Sequence, residues 1–216
     1  VSERGVLITF EGGEGIGKST QLRILAHRLE AAGLAVRSLR EPGGTVVGEA
    51  VRAILLDPEH VGLDARAELL LYEAARAQLV AEVIEPALDA GEIVLCDRFY
   101  DSTTAYQGHG RGLPLDEIAT LNLAATGGLA PDRTLVLDIE PAIALERATR
   151  GGADRLESED HSFHERVRAG FSAIAAQEPG RVRVVDATGS IEEVAARVAD
   201  ALADLPALSD ALGGSR

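Results

Sequence analysis

The sequence predicts an α/β fold, a parallel sheet with helices packed against it, and three observations carry that expectation. Short apolar runs recur along the chain, and stretches with helical spacing separate them. The first run, Val6 to Phe10, leads into Gly12-Gly13-Glu14-Gly15-Ile16-Gly17-Lys18-Ser19, which spells G-x-x-x-x-G-K-S, and then into a helical pattern from Gln21. At 216 residues, 46% hydrophobic and 26% charged, the chain is long and apolar enough to bury one full core, and residues 1–208 read as a single domain.

The glycine-rich stretch has the strand-loop-helix setting of a phosphate-binding loop. Its glycines let backbone N–H groups turn inward toward an anion, and the helix that follows adds the positive end of its dipole. Lys18 supplies a point charge for phosphate oxygens, and Ser19 a hydroxyl for Mg²⁺. Of the 21 basic side chains Lys18 is the only lysine, so a compact ammonium has been kept where a forked guanidinium was used everywhere else.

After a helix from Lys18 to Ala32, Gly33 acts as a stop and Leu34 to Leu39 reads as the second strand. It ends in Arg40-Glu41-Pro42-Gly43-Gly44-Thr45, a turn at the carboxyl edge, which is either punctuation or part of a ligand site. Val46 to Leu56 reads as a helix carrying Arg52, and Leu63 to Asp89 as a long helical stretch interrupted or bent at Pro86. Within it Tyr72 and Arg76 are four apart and share a face, where they could grip a planar ring or be a core tyrosine and a surface arginine. Ile93 to Cys96 followed by Asp97 is a buried strand that delivers a carboxylate to the phosphate site, with Arg98 one residue on.

Asp101 to Gly112 is polar and glycine-rich, with Thr103, Tyr106 and Gln107 as pocket-lining candidates. Leu115 to Ala125 reads as a helix, Thr134 to Asp138 as a strand, and Pro141 opens a helix reaching Arg147 and Arg150. The charged stretch from Gly151 to Asp160, with Arg155 inside it, suits either a lid that brings guanidiniums over phosphates or a solvated loop. His161 and His164 are spaced to share a metal, but no third ligand lies nearby. Ser162 to Gln177, Val182 to Asp186 and Ile191 to Leu202 complete the pattern, the last helix opened by a Ser190/Glu193 capping box. The tail from Ser209 to Arg216 predicts disorder.

A net charge of −14 with no Lys/Arg-rich run argues against nucleic-acid binding. The single cysteine, Cys96, lies in an apolar run, which excludes an internal disulfide and favours a buried hydrophobe. No apolar run approaches the ~20 residues that span a bilayer and no signal peptide opens the chain, so no membrane partner and a cytoplasmic location are expected.

Taken together, the loop at 12–19, the Arg40 to Thr45 turn, the strand end Asp97-Arg98-Phe99 and Ala105-Tyr106-Gln107-Gly108 resemble the bacterial thymidylate kinases over about residues 5–205. The resemblance implies a P-loop NTPase-type three-layer αβα fold with a five-stranded parallel sheet and a short mobile lid at about 148–161. It also implies a homodimer and Mg²⁺-dependent phosphoryl transfer from ATP to dTMP. Gly12 through Ser19, Thr20 and Arg147 would bind ATP, and Ser19 and Asp97 would hold Mg²⁺. The resemblance puts Tyr72 against the base, Arg76 and Thr103 at its polar edge, and Tyr106 at the sugar. Glu41, Pro42 and Gln107 join that acceptor site, while Arg98 and Arg52 hold the acceptor phosphate. Lys18, Arg98, Glu14 and Arg150 would carry catalysis, with Glu14 in the loop and arginines in the lid. A cis bond at Glu41-Pro42 is implied, and Glu73 and Glu92 have no implied role. Two other readings stay open: a different nucleoside monophosphate or deoxynucleoside kinase, and a nucleotide switch. The switch lacks the Asn-Lys-x-Asp element that reads guanine, because Leu follows Asn122 and no second lysine exists.

Overall fold

A computed structural model describes residues 4–60, 62–140, 143–144, 155–156 and 158–213. Five strands, β1 (Leu7–Glu11), β2 (Val36–Arg40), β3 (Ile93–Asp97), β4 (Arg133–Asp138) and β5 (Val182–Asp186), form one sheet in the order β2-β3-β1-β4-β5. Every pairing is parallel. Parallel neighbours need crossover helices, which cover both faces and let the strands be apolar throughout. That is why β1 and the first four residues of β3 are fully buried.

Successive strand residues point to opposite faces, and the core divides accordingly. Ile8 and Phe10 face α1 (Lys18–Ala31) and α8 (Ile191–Asp200), packing with Leu25, Leu29, Val194 and Val198. Leu7, Val94 and Cys96 face the other way, against Leu79, Ile84 and Leu88. Cys96 is thus a buried small hydrophobe. The described residues also form α2 (Val46–Leu56), α3 (Ala65–Leu79), α4 (Glu85–Asp89), α5 (Tyr100–Thr103), α6 (Leu115–Thr126) and α7 (His161–Gln177). No described helix is long and apolar enough to cross a membrane.

The register fixes where chemistry can happen. Phe10 lies opposite Asp97, and Arg40 opposite Asp97 from the other side, so β1, β2 and β3 end level with one another. The phosphate loop, the Glu41-Pro42 turn and Asp97-Arg98 therefore share one edge of the sheet.

Three expectations change. The irregularity foreseen at Pro86 sits one turn earlier, as a π turn over Val80–Ile84 that joins α3 to α4 without a break. Proline lacks an N–H and its ring would strike the carbonyl four residues back, and a widened turn accommodates both. The polar stretch after Asp97 is helical: α5 runs into a second π turn over Thr104–Gly110. Of the tail expected to be disordered over residues 209–216, Ser209–Leu212 forms α9, and residues 214–216 lie outside the described residues. Burial explains the tail, because Leu208 and Leu212 join the core beside α1 and Arg28 NH2 donates to Leu212 O at 2.6 Å. The Glu41-Pro42 bond is cis, and the Ser190/Glu193 capping box is present.

Candidate active site

The phosphate loop leaves β1 at Glu11. A Cβ on Gly12 would meet Leu137 O at 2.3 Å, so β4 can pass this close only because that position has no side chain. Gly17 caps α1 with φ 95°, a left-handed conformation that other residues adopt at a cost. Lys18 Nζ donates to Gly13 O at 2.5 Å and to Gly12 O at 3.3 Å, which holds the ammonium inside the loop. Burial, then the nearby Arg98, depress its pKa from the ordinary lysine value. The Ser19 hydroxyl donates to Asp97 Oδ2 at 2.5 Å, which brings the two predicted metal-binding side chains into contact.

Arg98 has φ 73°, the one non-glycine among the described residues in that region. Its guanidinium crosses the cleft. NH1 donates to Gly12 O at 3.0 Å and Ser102 Oγ at 2.9 Å, and NH2 to Glu14 Oε1 at 2.5 Å and the Tyr106 hydroxyl at 3.1 Å. Burial works to raise the Glu14 pKa, but Arg98, Lys18 and the Tyr106 hydroxyl together hold it below the ordinary value. An open cleft is lined by residues 14–20, Arg40, Glu41, Arg52, Asp97 and Arg98. Arg52 donates to Pro42 O at 3.0 Å on its rim.

A second cleft adjoins it and shares Glu14, Glu41 and Arg98. Its walls include Tyr72, Arg76, Phe99, Ser102, Thr103, Tyr106, Gln107 and Leu156. Tyr72 and Arg76 are together as the spacing allowed, yet Arg76 is no surface residue: 1% of it is exposed. Its Nε donates to Glu41 at 2.9 Å, NH1 to Glu73 at 2.7 Å and Asn122 at 3.2 Å, and NH2 to Thr103 Oγ1 at 3.0 Å. Four of the five guanidinium N–H groups are thereby engaged with described residues, which leaves one on NH2 for a ligand acceptor. Burial, resisted by Arg76, pushes the Glu41 carboxyl up to about 7.

The structure thus brings together the loop residues, Glu41, Pro42, Arg52, Tyr72, Arg76, Asp97, Arg98, Thr103, Tyr106 and Gln107. Arg147 and Arg150, with most of the expected lid, lie outside the described residues. Arg155 does not face the phosphate cleft: Nε donates to Leu55 O at 2.9 Å and NH2 pairs with Glu68 at 2.5 Å. Among the described residues no cluster of three His, Cys, Asp or Glu is placed to hold a metal, at His161 and His164 or elsewhere.

Sequence reasoning passed over several groups that build these clefts. Glu73, read as having no role, is buried against Arg76 because a guanidinium removed from water needs compensating carboxylates. It could have been found from its position three residues before Arg76. Glu11 ends an apolar strand as Asp97 does, and that pattern was the missed signal. Its Oε1 accepts Phe99 N–H at 2.7 Å and its Oε2 the Ser102 hydroxyl at 2.5 Å, which fixes the backbone just past the strained Arg98. Burial, then the charge of Asp101, push the Glu11 carboxyl up to about 8. Phe99, Ser102, Asn122 and Leu156 carried no local sign of their placement.

A parallel five-stranded sheet with a glycine-rich loop after β1 and a strand-borne carboxylate against the loop serine defines a P-loop nucleotide-binding protein. The thymidylate kinase family model matches residues 10–198, and the chain belongs to the thymidylate kinase family and is an enzyme of that family. It is 53% identical over 201 residues to the thymidylate kinase of Solidesulfovibrio magneticus, covering 89% of this chain and 96% of that one. It is 55% identical over 195 residues to the thymidylate kinase of Synechococcus sp. strain JA-3-3Ab, covering 89% and 93%. The crystal structure of thymidylate kinase from Ehrlichia chaffeensis superposes with TM-score 0.74 at 36% identity, covering 92% of this chain and 99% of that one.

Proposed function

We propose that the protein transfers the γ-phosphoryl group of ATP to dTMP in the presence of Mg²⁺. The observation that carries this reading is that the two clefts adjoin: Arg98 and Glu14 line both, so a phosphate on one nucleotide can approach a phosphate on the other. The obstacle is repulsion between anions rather than removal of a proton, since a phosphate monoester with a second pKa of about 6 is already a nucleophile near neutral pH. Lys18 and the loop N–H groups hold the donor phosphates, and Arg98 holds the acceptor phosphate while spreading charge in the transition state. Glu14 and Tyr106 fix the Arg98 guanidinium, so little reorganisation is needed when charge develops.

The hydroxyl of Ser19 and the carboxylate of Asp97 are hard oxygen donors in contact with one another, a set that suits Mg²⁺ completed by water and phosphate oxygens. The ion, when bound, would neutralise charge on the β and γ oxygens. Arg147 and Arg150 remain the proposed donor-side guanidiniums on the strength of the family resemblance, and Arg150→Ala should lower kcat far more than it raises KM. Exposed apolar side chains on α2, α3 and α6, among them Val46, Ile54, Leu70 and Leu123, support a homodimer through that face. Light scattering across a concentration series tests it.

A coupled assay with dTMP, dUMP, dCMP and AMP, with and without Mg²⁺, tests the activity. The Arg76 donor left over for a ligand needs an acceptor, so the amino group of dCMP should cost it ~10²-fold or more against dTMP. Comparable rates with dCMP, AMP and dTMP would overturn the substrate assignment and favour a broader nucleoside monophosphate kinase.

A further inference from the structure

Glu68, on α3, is fully buried, yet three side chains converge on its carboxylate. Gln107 Nε2 donates to Oε1 at 2.8 Å, and Arg111 donates through Nε to Oε1 and through NH2 to Oε2, each at 3.2 Å. Arg155 NH2 lies 2.5 Å from Oε2, while its Nε is tied to Leu55 O at the end of α2. Burial alone would raise the pKa of this carboxyl. The donors from Arg111 and Gln107 and the guanidinium charges outweigh burial, and the net shift is downward. Glu68 is therefore ionised and can only accept hydrogen bonds.

Two consequences reach the second cleft. The Gln107 amide has one permitted orientation, with nitrogen toward Glu68, so its carbonyl oxygen is the atom left to offer the cleft it lines. Arg155, fastened at two points, also fixes the next residue, Leu156, which is 5% exposed and forms part of the same wall.

We propose that Glu68 is a positioning residue for acceptor recognition: its carboxylate sets the Gln107 amide with its oxygen toward the acceptor and, through Arg155, seats Leu156 against it. This rests on the reading of the second cleft as the acceptor site. A purely structural ion-pair cluster would affect stability without affecting which acceptor is chosen.

The test is steady-state kinetics of the full chain with Glu68→Gln, Gln107→Ala, the double variant and Arg155→Met. Glu68→Gln removes the charge and sets an NH2 group against donors whichever way the amide turns, Gln107 and Arg111 on one side or Arg111 and Arg155 on the other, so the acceptor KM should rise ~10-fold or more while the donor KM stays within about twofold. The dTMP-over-dCMP preference should fall with it. Gln107→Ala should add little in the Glu68→Gln background, since the two act as one unit. Arg155→Met leaves Glu68 paired with Arg111 and Gln107 and should raise the acceptor KM through Leu156 alone. Glu68→Asp, which keeps the charge, should recover part of the preference. Variants that only lower Tm, with acceptor KM and preference at wild-type values, would overturn the proposal. So would Glu68→Gln and Gln107→Ala effects that multiply independently. The wild-type control reads the substrate assignment separately: a different preferred monophosphate would overturn dTMP, and the same variant-to-wild-type ratios would then be taken on that acceptor.

Discussion

Ser19 and Asp97 are joined by a hydrogen bond of 2.5 Å, although 78 residues separate them in the chain. The contact follows from the sheet, because β1 and β3 are neighbours and the Phe10–Asp97 register brings the end of β3 beside the start of α1. Asp97→Asn would keep the shape and remove the charge. It should raise the Mg²⁺ concentration for half-maximal rate by ~10- to 100-fold. A titration matching wild type would detach Asp97 from the metal.

Lys18 tests the chemistry of the loop without testing the fold. Its ammonium contacts two loop carbonyls beside an open cleft, so water can replace it in Lys18→Ala. Thermal unfolding should match wild type while kcat drops ~10³-fold or more. Lys18→Arg should fail as well, since a planar fork does not fit where a compact ammonium sits. Turnover near wild type in either variant would contradict the assignment.

Arg76 should matter to stability as well as to the proposed binding of the acceptor. Its guanidinium lies between the buried carboxylates of Glu41 and Glu73, and removing it leaves negative charge without compensation. Arg76→Met should cost about 3–5 kcal/mol in a urea melt. Unfolding at the wild-type urea midpoint would mean the carboxylates find partners elsewhere.

Glu11 should leave a signature in the pH dependence of stability. Its carboxyl is pushed up from an ordinary 4.5 to about 8, so between those values the folded protein holds a proton that the unfolded chain releases. Its contribution is full below the unfolded value and is lost as pH rises through the folded one. Glu11→Gln is neutral throughout. The Tm of the variant minus that of wild type should therefore shift in the variant's favour from about pH 5 to about pH 9. Glu41, held up to about 7, is common to both proteins and cancels. A difference that does not change with pH would show that Glu11 titrates normally.

The tail offers a simpler check. Ending the chain after Leu208 removes the buried Leu212 and the carbonyl that Arg28 holds. A loss of about 2–3 kcal/mol is expected from the exposed apolar surface. No change in Tm would return the segment to a dispensable role.

β1, β3 and β4 were legible because each contains a short apolar run with a different pattern on either side, whereas β2 and β5, which carry Arg37 and Arg183, were legible from the glycine and proline turns that bound them. The loop, Asp97 and the Tyr72/Arg76 pair were legible because their logic is local: a spacing, a strand end, a helix face. What escaped depends on partners far along the chain. Glu11 is buried through Phe99 and Ser102, Glu68 through Gln107, Arg111 and Arg155, and Glu73 gains meaning only once Arg76 is known to be inside. Arg155 illustrates the limit well. A charged, glycine-bearing stretch has the same composition whether its arginine reaches for a phosphate or for a buried carboxylate, and only the position of α3 decides. The tail misled because Ser, Asp and Gly around Leu212 advertise solvent, while the apolar patch that receives it belongs to α1.

Glu14, Glu41 and Arg98 border both cavities, so the two lie side by side with the Arg98 guanidinium at their boundary. A tethered compound, with a pyrimidine nucleoside at one end and a polyphosphate chain at the other, would span two neighbouring clefts across that one guanidinium. Such a bridging inhibitor would draw on both half-sites at once, and its grip should exceed that of either fragment by the entropy saved in joining them.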